Sequence, residues 1–169
     1  MGDDKPYFRF NPNACSVGRE FEASDGICDV CNSPCVWVYK GGIYTGGEEP
    51  TVCARCIADG RLATYLNDAH FQLHDIDVDD VDPALEDELL RRTPGISSFN
   101  PFPWPVLDRK PLAFLGYGED ERLLSEPDVV TAIEEAFKEL GWEFEGPTPY
   151  ALIFKEVDGK RYRAVVDLD

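Results

Sequence analysis

Two cysteine pairs of the same form, Cys28-Asp29-Val30-Cys31 and Cys53-Ala54-Arg55-Cys56, constrain this chain more than any other feature. Each C-x-x-C bend brings two sulfurs to one metal ion, and four thiolates at tetrahedral positions form a soft, closed shell that suits zinc. The 21 residues between the pairs exceed the common spacer of about 15–20 by enough for one longer hairpin. The pattern predicts one structural zinc ion on Cys28, Cys31, Cys53 and Cys56. A disulfide or redox couple is the competing reading, and iron is the other metal that four thiolates accept.

The rest of the composition favours metal. With 169 residues, 43% of them apolar, the chain can bury a core as one ordinary domain or two small ones. Met1-Gly2-Asp3-Asp4-Lys5 does not resemble a secretory signal, and no apolar run approaches the roughly 18 residues of a membrane span. A cytoplasmic protein without a membrane partner is expected, and in that reducing compartment clustered cysteines point to metal. The net charge is −17, from 33 acidic and 16 basic residues, and zinc on four thiolates would make it more negative still. Such a chain repels a phosphate backbone, which argues against a nucleic-acid partner. Its acidity reads first as a solubilising surface and second as a face for a basic protein.

Along the chain, Tyr7-Phe8-Arg9-Phe10 alternates like a short strand before the turn signal Asn11-Pro12-Asn13. Val36-Trp37-Val38-Tyr39, Gly41-Gly42 and Ile43-Tyr44-Thr45 read as a hairpin between the cysteine pairs. Residues 57–66 carry helical periodicity directly after Cys56, with Gly60 as a blemish. Knuckle, hairpin and a second pair at a helix start predict a treble-clef-like N-terminal unit. Five aspartates between Asp75 and Asp82 read as a solvated linker, because a calcium loop would need a glycine and a closing glutamate that are missing. Asp82-Pro83 opens a short helix that stops at Thr93-Pro94-Gly95. The loop from Ser97 to Pro105 mixes aromatic rings with prolines and is expected to seal a core edge in preference to forming a ligand groove. Downstream, 112–117 reads as a buried strand. Glu126-Pro127 starts a helix with Val130, Ile133, Phe137 and Leu140 on one face, and two strands flank Asp158-Gly159. The expected class is α+β, divided into a zinc-binding unit (1–74), a linker with helix and aromatic loop (75–105), and a strand-helix-hairpin unit (106–169).

Cys53, Cys56, His70 and His74 form a decoy close to the two-cysteine, two-histidine finger formula. Here helical periodicity fills most of the spacer and the arrangement would orphan Cys28 and Cys31, so both histidines read as partly exposed residues near a helix end. Cys15 and Cys35 read as unligated thiols. For catalysis the chain lacks G-x-S-x-G, P-loop and dinucleotide motifs, and four thiolates leave zinc no open position. No enzymatic activity is expected. An enzyme with a pocket at the Pro/aromatic loop is the weakest alternative.

The run Tyr7-Phe8-Arg9-Phe10-Asn11-Pro12, then Cys28-Asp29-Val30-Cys31, Tyr44-Thr45-Gly46 and above all Cys53-Ala54-Arg55-Cys56-Ile57-Ala58-Asp59-Gly60 resembles the bacterial CbrC family. Arg92-Thr93-Pro94-Gly95, Ala113-Phe114-Leu115-Gly116-Tyr117 and Tyr162-Arg163-Ala164-Val165-Val166-Asp167 extend the likeness over nearly the whole chain. The resemblance implies zinc on the same four cysteines and an association with tolerance to a colicin, and it brings no enzymatic activity. Many members carry further cysteines just before the A-F-L-G-Y strand and in the final hairpin. Here those positions hold Val106-Leu107-Asp108-Arg109-Lys110 and Lys155-Glu156-Val157-Asp158-Gly159-Lys160, and Phe99-Asn100 replaces the family's Trp-Gln. The leading expectation is a structural-zinc protein acting through protein contacts, in stress or toxin tolerance. The alternative is an acidic, immunity-like inhibitor of a basic protein such as a nuclease toxin.

Overall fold

The structure, a computed structural model, describes residues 5–69 and 71–168. It is mixed α and β, and its N-terminal half is built around the cysteine pairs. Strands β1 (Phe21–Ala23) and β2 (Trp37–Tyr39) pair antiparallel, with the first knuckle in the loop between them. The hairpin expected between 36–39 and 43–45 is therefore corrected: β2 takes its partner from upstream. Its other edge meets the second pair directly, through a Val38–Cys53 bridge and the Tyr39 amide donating to the Val52 carbonyl at 2.9 Å. The intervening residues form a wide loop in which Ile43 is buried and the Tyr44 amide donates to Phe71 instead.

Helix α1 (Ala54–Ala58) starts at Cys53, and α2 (Arg61–Tyr65) follows after a break. The single helix expected over 57–66 is split because Gly60 adopts φ +80, a left-handed conformation that glycine reaches without a Cβ clash. The segment 7–10 is not a strand either. The Asn11 amide closes a turn on the Phe8 carbonyl, and Phe8 and Phe10 are both buried, each in a different core cluster.

The longer elements follow the sequence reading. Helix α3 (Pro83–Arg92) has Asp82 as its N-cap, whose carboxylate accepts from the Ala84 amide at 2.9 Å, and Pro83 sits in the first turn. Asp82→Ala should cost about 1 kcal/mol of stability, measured by urea unfolding, whereas Asp82→Asn should cost less. A short hairpin, β3 (Val106–Leu107) and β4 (Lys110–Pro111), turns through Asp108 and Arg109, both at positive φ. Then come β5 (Ala113–Tyr117), α4 (Glu121–Leu124), α5 (Pro127–Glu139), β6 (Ala151–Lys155) and β7 (Tyr162–Val166). The last three strands form an antiparallel sheet in the order β5-β6-β7. The turn at Asp158-Gly159 is wider than a two-residue connection, closing with the Glu156 amide on the Arg161 carbonyl.

Strand β6 is covered on both faces, which is why its run Ala151-Leu152-Ile153-Phe154 is apolar without alternation. Leu152 and Phe154 face a cluster with Phe10, Leu89, Trp104 and Phe114, while Ala151 and Ile153 face α5. The buried stripe of α5 is Val129, Ala132, Ile133 and Phe137. The expected face is thus shifted by one residue at its start, and Leu140 lies beyond the helix, half exposed. A separate N-terminal core stacks Phe8 on Phe21 at 5.6 Å, with Tyr39 tilted against Phe21 at 5.5 Å and edge-on to Phe71 at 6.1 Å.

Candidate metal centre

The four predicted cysteines converge. The Sγ atoms of Cys28, Cys31, Cys53 and Cys56 all lie within 4.8 Å of one another, with Cys28 and Cys56 3.8 Å apart and Cys31 and Cys53 4.0 Å apart. A tetrahedral zinc with bonds of about 2.3 Å requires sulfur–sulfur edges of about 3.8 Å, so the donor set and its spacing both fit this ion. None of the four is in a disulfide, whose sulfurs would stand about 2.05 Å apart.

Local backbone structure explains the convergence. The Asn32 amide closes the knuckle on the Cys28 carbonyl at 2.8 Å, and Asn32 takes a positive φ of 54, a conformation asparagine tolerates better than most side chains. The carboxylate of Asp29 accepts from the Thr51 amide at 2.7 Å, and the Asp29 amide donates to the Thr51 carbonyl at 2.8 Å. This doubly bonded clasp ties the first knuckle to the approach of the second. The Cys53 amide also donates to the Cys28 sulfur at 3.4 Å, a bond that stabilises a thiolate.

Burial comes first among the influences on the acidity of these sulfurs, followed by hydrogen bonds and the neighbouring sulfurs. Burial and the neighbouring sulfurs push the Cys56 thiol up, and burial raises Cys53 as well. At Cys31 burial acts in the same direction, but hydrogen bonds from the Ser33 backbone and from neighbouring cysteines outweigh it and lower this thiol to about 7. A divalent ion replaces these protons, so metal affinity falls as pH falls.

Cys35, the closest rival for a ligand position, is fully buried beside the four, but its thiol donates to the Trp37 carbonyl at 3.6 Å. Burial, followed by the adjacent sulfurs, pushes its pKa up to about 12. It is therefore a neutral thiol packed against the site. Cys15 lies apart, in the N-terminal core.

His74 is nowhere near this cluster, and His70 lies outside the described residues. The expectation that His74 is partly exposed is corrected, because it is 1% exposed beneath the Pro/aromatic loop. Its Nδ1 accepts from the Phe102 amide at 3.3 Å, which leaves the proton on Nε2, 3.0 Å from Ser98 Oγ. The Ser98 hydroxyl in turn donates to the Asn100 carbonyl at 3.0 Å. Asp167 is also buried, and its carboxylate accepts from the backbone amides of Phe99 and Asn100. This serine, histidine and aspartate hold the loop in place. A nucleophilic triad would need the opposite tautomer, with Nδ1–H donated to the aspartate.

Burial pushes the His74 pKa below its ordinary value, against weaker opposing pulls from the backbone at Phe102 and Ile96 and, last, from Asp167. The folded state thus favours the neutral ring, and stability held above pH ~6.5 should be lost as pH falls toward the folded value. Melting temperatures from pH 8 to 5 should show a steeper acid limb for the native protein than for His74→Asn, whose amide oxygen can replace Nδ1. Glu20, raised by burial, has the opposite sign in both proteins, so the difference isolates His74. Equal slopes would contradict this role.

The Pro/aromatic loop seals a core edge, as expected. Trp104 is 2% exposed, donates its indole N–H to the Leu112 carbonyl at 2.8 Å and packs edge-on to Phe154. The β3–β4 turn and the β6–β7 turn lie side by side. Asp108 on the β3–β4 turn pairs with Arg161 on the β6–β7 turn, and Arg161 also pairs with Glu156 at 2.6 Å. No sulfur is present there, and an ion-pair cluster links the turns instead. That juxtaposition had no signal in the sequence, because the two turns are about fifty residues apart.

These features can be set beside known proteins. A family model described as "Uncharacterised protein family (UPF0167)" matches residues 5–148. The chain is 27% identical over 138 residues to a UPF0167 protein of Mycobacterium bovis, covering 81% of this chain and 73% of that relative. A Mycobacterium tuberculosis UPF0167 protein gives the same values. A UPF0167 protein of Pseudomonas aeruginosa is 30% identical over 118 residues, or 69% of this chain and 65% of the relative. No solved structure matches. The family match spans both cysteine pairs, α3, the aromatic loop and α5, and the chain belongs to the UPF0167 family.

Proposed function

We propose that the four cysteines hold one structural zinc ion and that the protein works through protein contacts, without catalysis, in the cytoplasm. The observation that carries the metal reading is the sulfur spacing of 3.8 and 4.0 Å, which suits a closed tetrahedral shell with no position left for substrate. The absence of any helix long and apolar enough to cross a membrane, among the described residues, is compatible with this setting. Resemblance to the CbrC family supports a role in stress or toxin tolerance. Elemental analysis of purified protein should find about one zinc per chain. Stoichiometric iron would overturn the choice of metal, and metal-free folded protein would overturn the site.

The acidic surface supports a second reading, in which the chain binds a basic protein such as a nuclease toxin. Asp75, Asp77, Asp79 and Asp80 stand exposed in succession ahead of α3, and the chain carries −17 overall. Association steered by such charge weakens steeply with ionic strength. Capture of basic partners that is unchanged in high salt would argue against it.

A further inference from the structure

The apolar stripe of α5 outruns the surface that covers it. Val129, Ile133 and Phe137 are buried against the sheet, but Leu140, three residues past Phe137 and on the same side of the helix, is 50% exposed. The chain then closes in a Schellman motif. The Gly141 amide donates to the Lys138 carbonyl at 2.9 Å and the Trp142 amide to the Phe137 carbonyl at 3.0 Å, with Gly141 at φ +78. This closure fixes the Trp142 backbone and leaves its side chain 51% exposed. Phe137 and Phe144, with rings 5.7 Å apart, line a hollow of ≈ 320 Å³ that has Glu143 and Glu145 in its wall. Exposed apolar side chains beside a hollow differ from the single apolar residues that any surface carries.

The surroundings are acidic and uncompensated. From Glu134 to Glu145 the chain exposes five glutamates and one lysine, Lys138. None of the five makes an ion pair among the described residues, although elsewhere Arg91 and Arg92 share Asp87, Arg109 meets Asp80, and Arg161 meets Asp108 and Glu156. Charge decides what can cover such a surface. A second copy would bring the same glutamates and a net −17, while nucleic acid or an anionic lipid surface would bring phosphates. A cationic protein segment is attracted instead, and its lysines or arginines gain carboxylate partners and the face of Trp142.

We propose that the end of α5 and residues 140–148 dock a basic protein segment, with one aliphatic or aromatic anchor side chain in the hollow beside Phe137 and Phe144 and flanking lysines or arginines on Glu139, Glu143 and Glu145. This site rests on the basic-partner reading above. It differs from the aspartate run ahead of α3, where Arg109 already meets Asp80. An anchor held in a pocket carries most of the affinity of such a contact, and the charges around it set partner choice and the rate of encounter.

The test is fluorescence anisotropy of the full chain with two fluorescein-labelled nonapeptides, one with a leucine between two runs of four lysines and one of nine lysines. The leucine peptide should bind about tenfold tighter, and both should weaken as salt rises. Leu140→Ser with Trp142→Ser changes exposed side chains, should keep the melting temperature, and should remove the preference for leucine. Glu143→Gln with Glu145→Gln should weaken both peptides and flatten their salt dependence. Equal binding of the two peptides by the native chain, or an intact leucine preference in the folded serine variant, would refute the site. A dimer in sedimentation that the serine variant loses would assign the surface to a second copy and overturn the basic segment. Binding that survives the glutamine pair but is lost when Asp75, Asp77, Asp79 and Asp80 become asparagine would also overturn this site, while leaving the basic-partner reading intact. Binding of neither peptide at low salt would remove the site and leave that reading to its own salt test.

Discussion

Cys53→Ser protein should emerge from purification with far less than one zinc per chain and with its N-terminal half unfolded. Structural zinc contributes about 10–16 kcal/mol in small zinc domains at neutral pH, and a serine hydroxyl does not replace a thiolate ligand. Apart from the Asp29–Thr51 clasp and the turn bonds of the knuckle itself, the regular structure around the site is short. β1 and β2 pair over three residues each, and Cys53 is both the cap residue of α1 and the bridge partner of Val38. Losing its sulfur removes one corner of the tetrahedron and loosens strand, knuckle and helix together. Zinc content by elemental analysis and amide exchange of residues 26–57 report the two effects separately. Stoichiometric zinc with an unchanged melting temperature would disprove the structural assignment. Cys35→Ser is the matched control: its thiol lies beside the cluster and outside the four-sulfur set, so this variant should keep its metal.

The second large effect is expected at Trp104. Its ring is buried against Phe154 at 5.3 Å, fastening the Pro/aromatic loop onto the three-stranded sheet, and its backbone amide donates to the Asp75 carbonyl at 2.8 Å, tying the loop to the aspartate-rich segment. Trp104→Ala should cost about 3–5 kcal/mol for the cavity, with about 1 kcal/mol more for the Leu112 carbonyl left without its donor. Against a total stability of about 5–15 kcal/mol, that is a large share. Trp104→Phe keeps much of the volume and should lose considerably less. Urea unfolding gives both numbers, and a loss under about 1 kcal/mol for Trp104→Ala would mean the loop is not part of the core.

How legible the molecule was depended on the physics behind each signal. Asp82-Pro83 marked the start of α3 because capping is a local bond between a side chain and an amide two residues on. The strand at 113–117 and the final hairpin stood out because β5 and β6 are heavily buried and therefore strongly apolar. Register was less accessible. The partner of β2 could not be chosen from local sequence, because 21–23 and 43–45 are comparably short and apolar, and tertiary contacts of Ile43 and Tyr44 decided between them. At Gly60 the periodicity continued through a residue whose backbone turns left-handed, so one helix was expected where two exist. His74 was misjudged because a polar side chain beside an aspartate run gives no hint of the loop that folds over it.

The sequence by itself determined which four cysteines come together and the α+β class, since C-x-x-C spacing and burial patterns are short-range and chemically specific. Tertiary structure decided what is assembled from distant segments. It set the 3.8 and 4.0 Å sulfur spacings and packed Cys35 beside the four as a neutral thiol. It also brought the turns at Asp108 and Arg161 together. Those contacts depend on long-range packing of side chains that carry no mark of their partners in the linear chain.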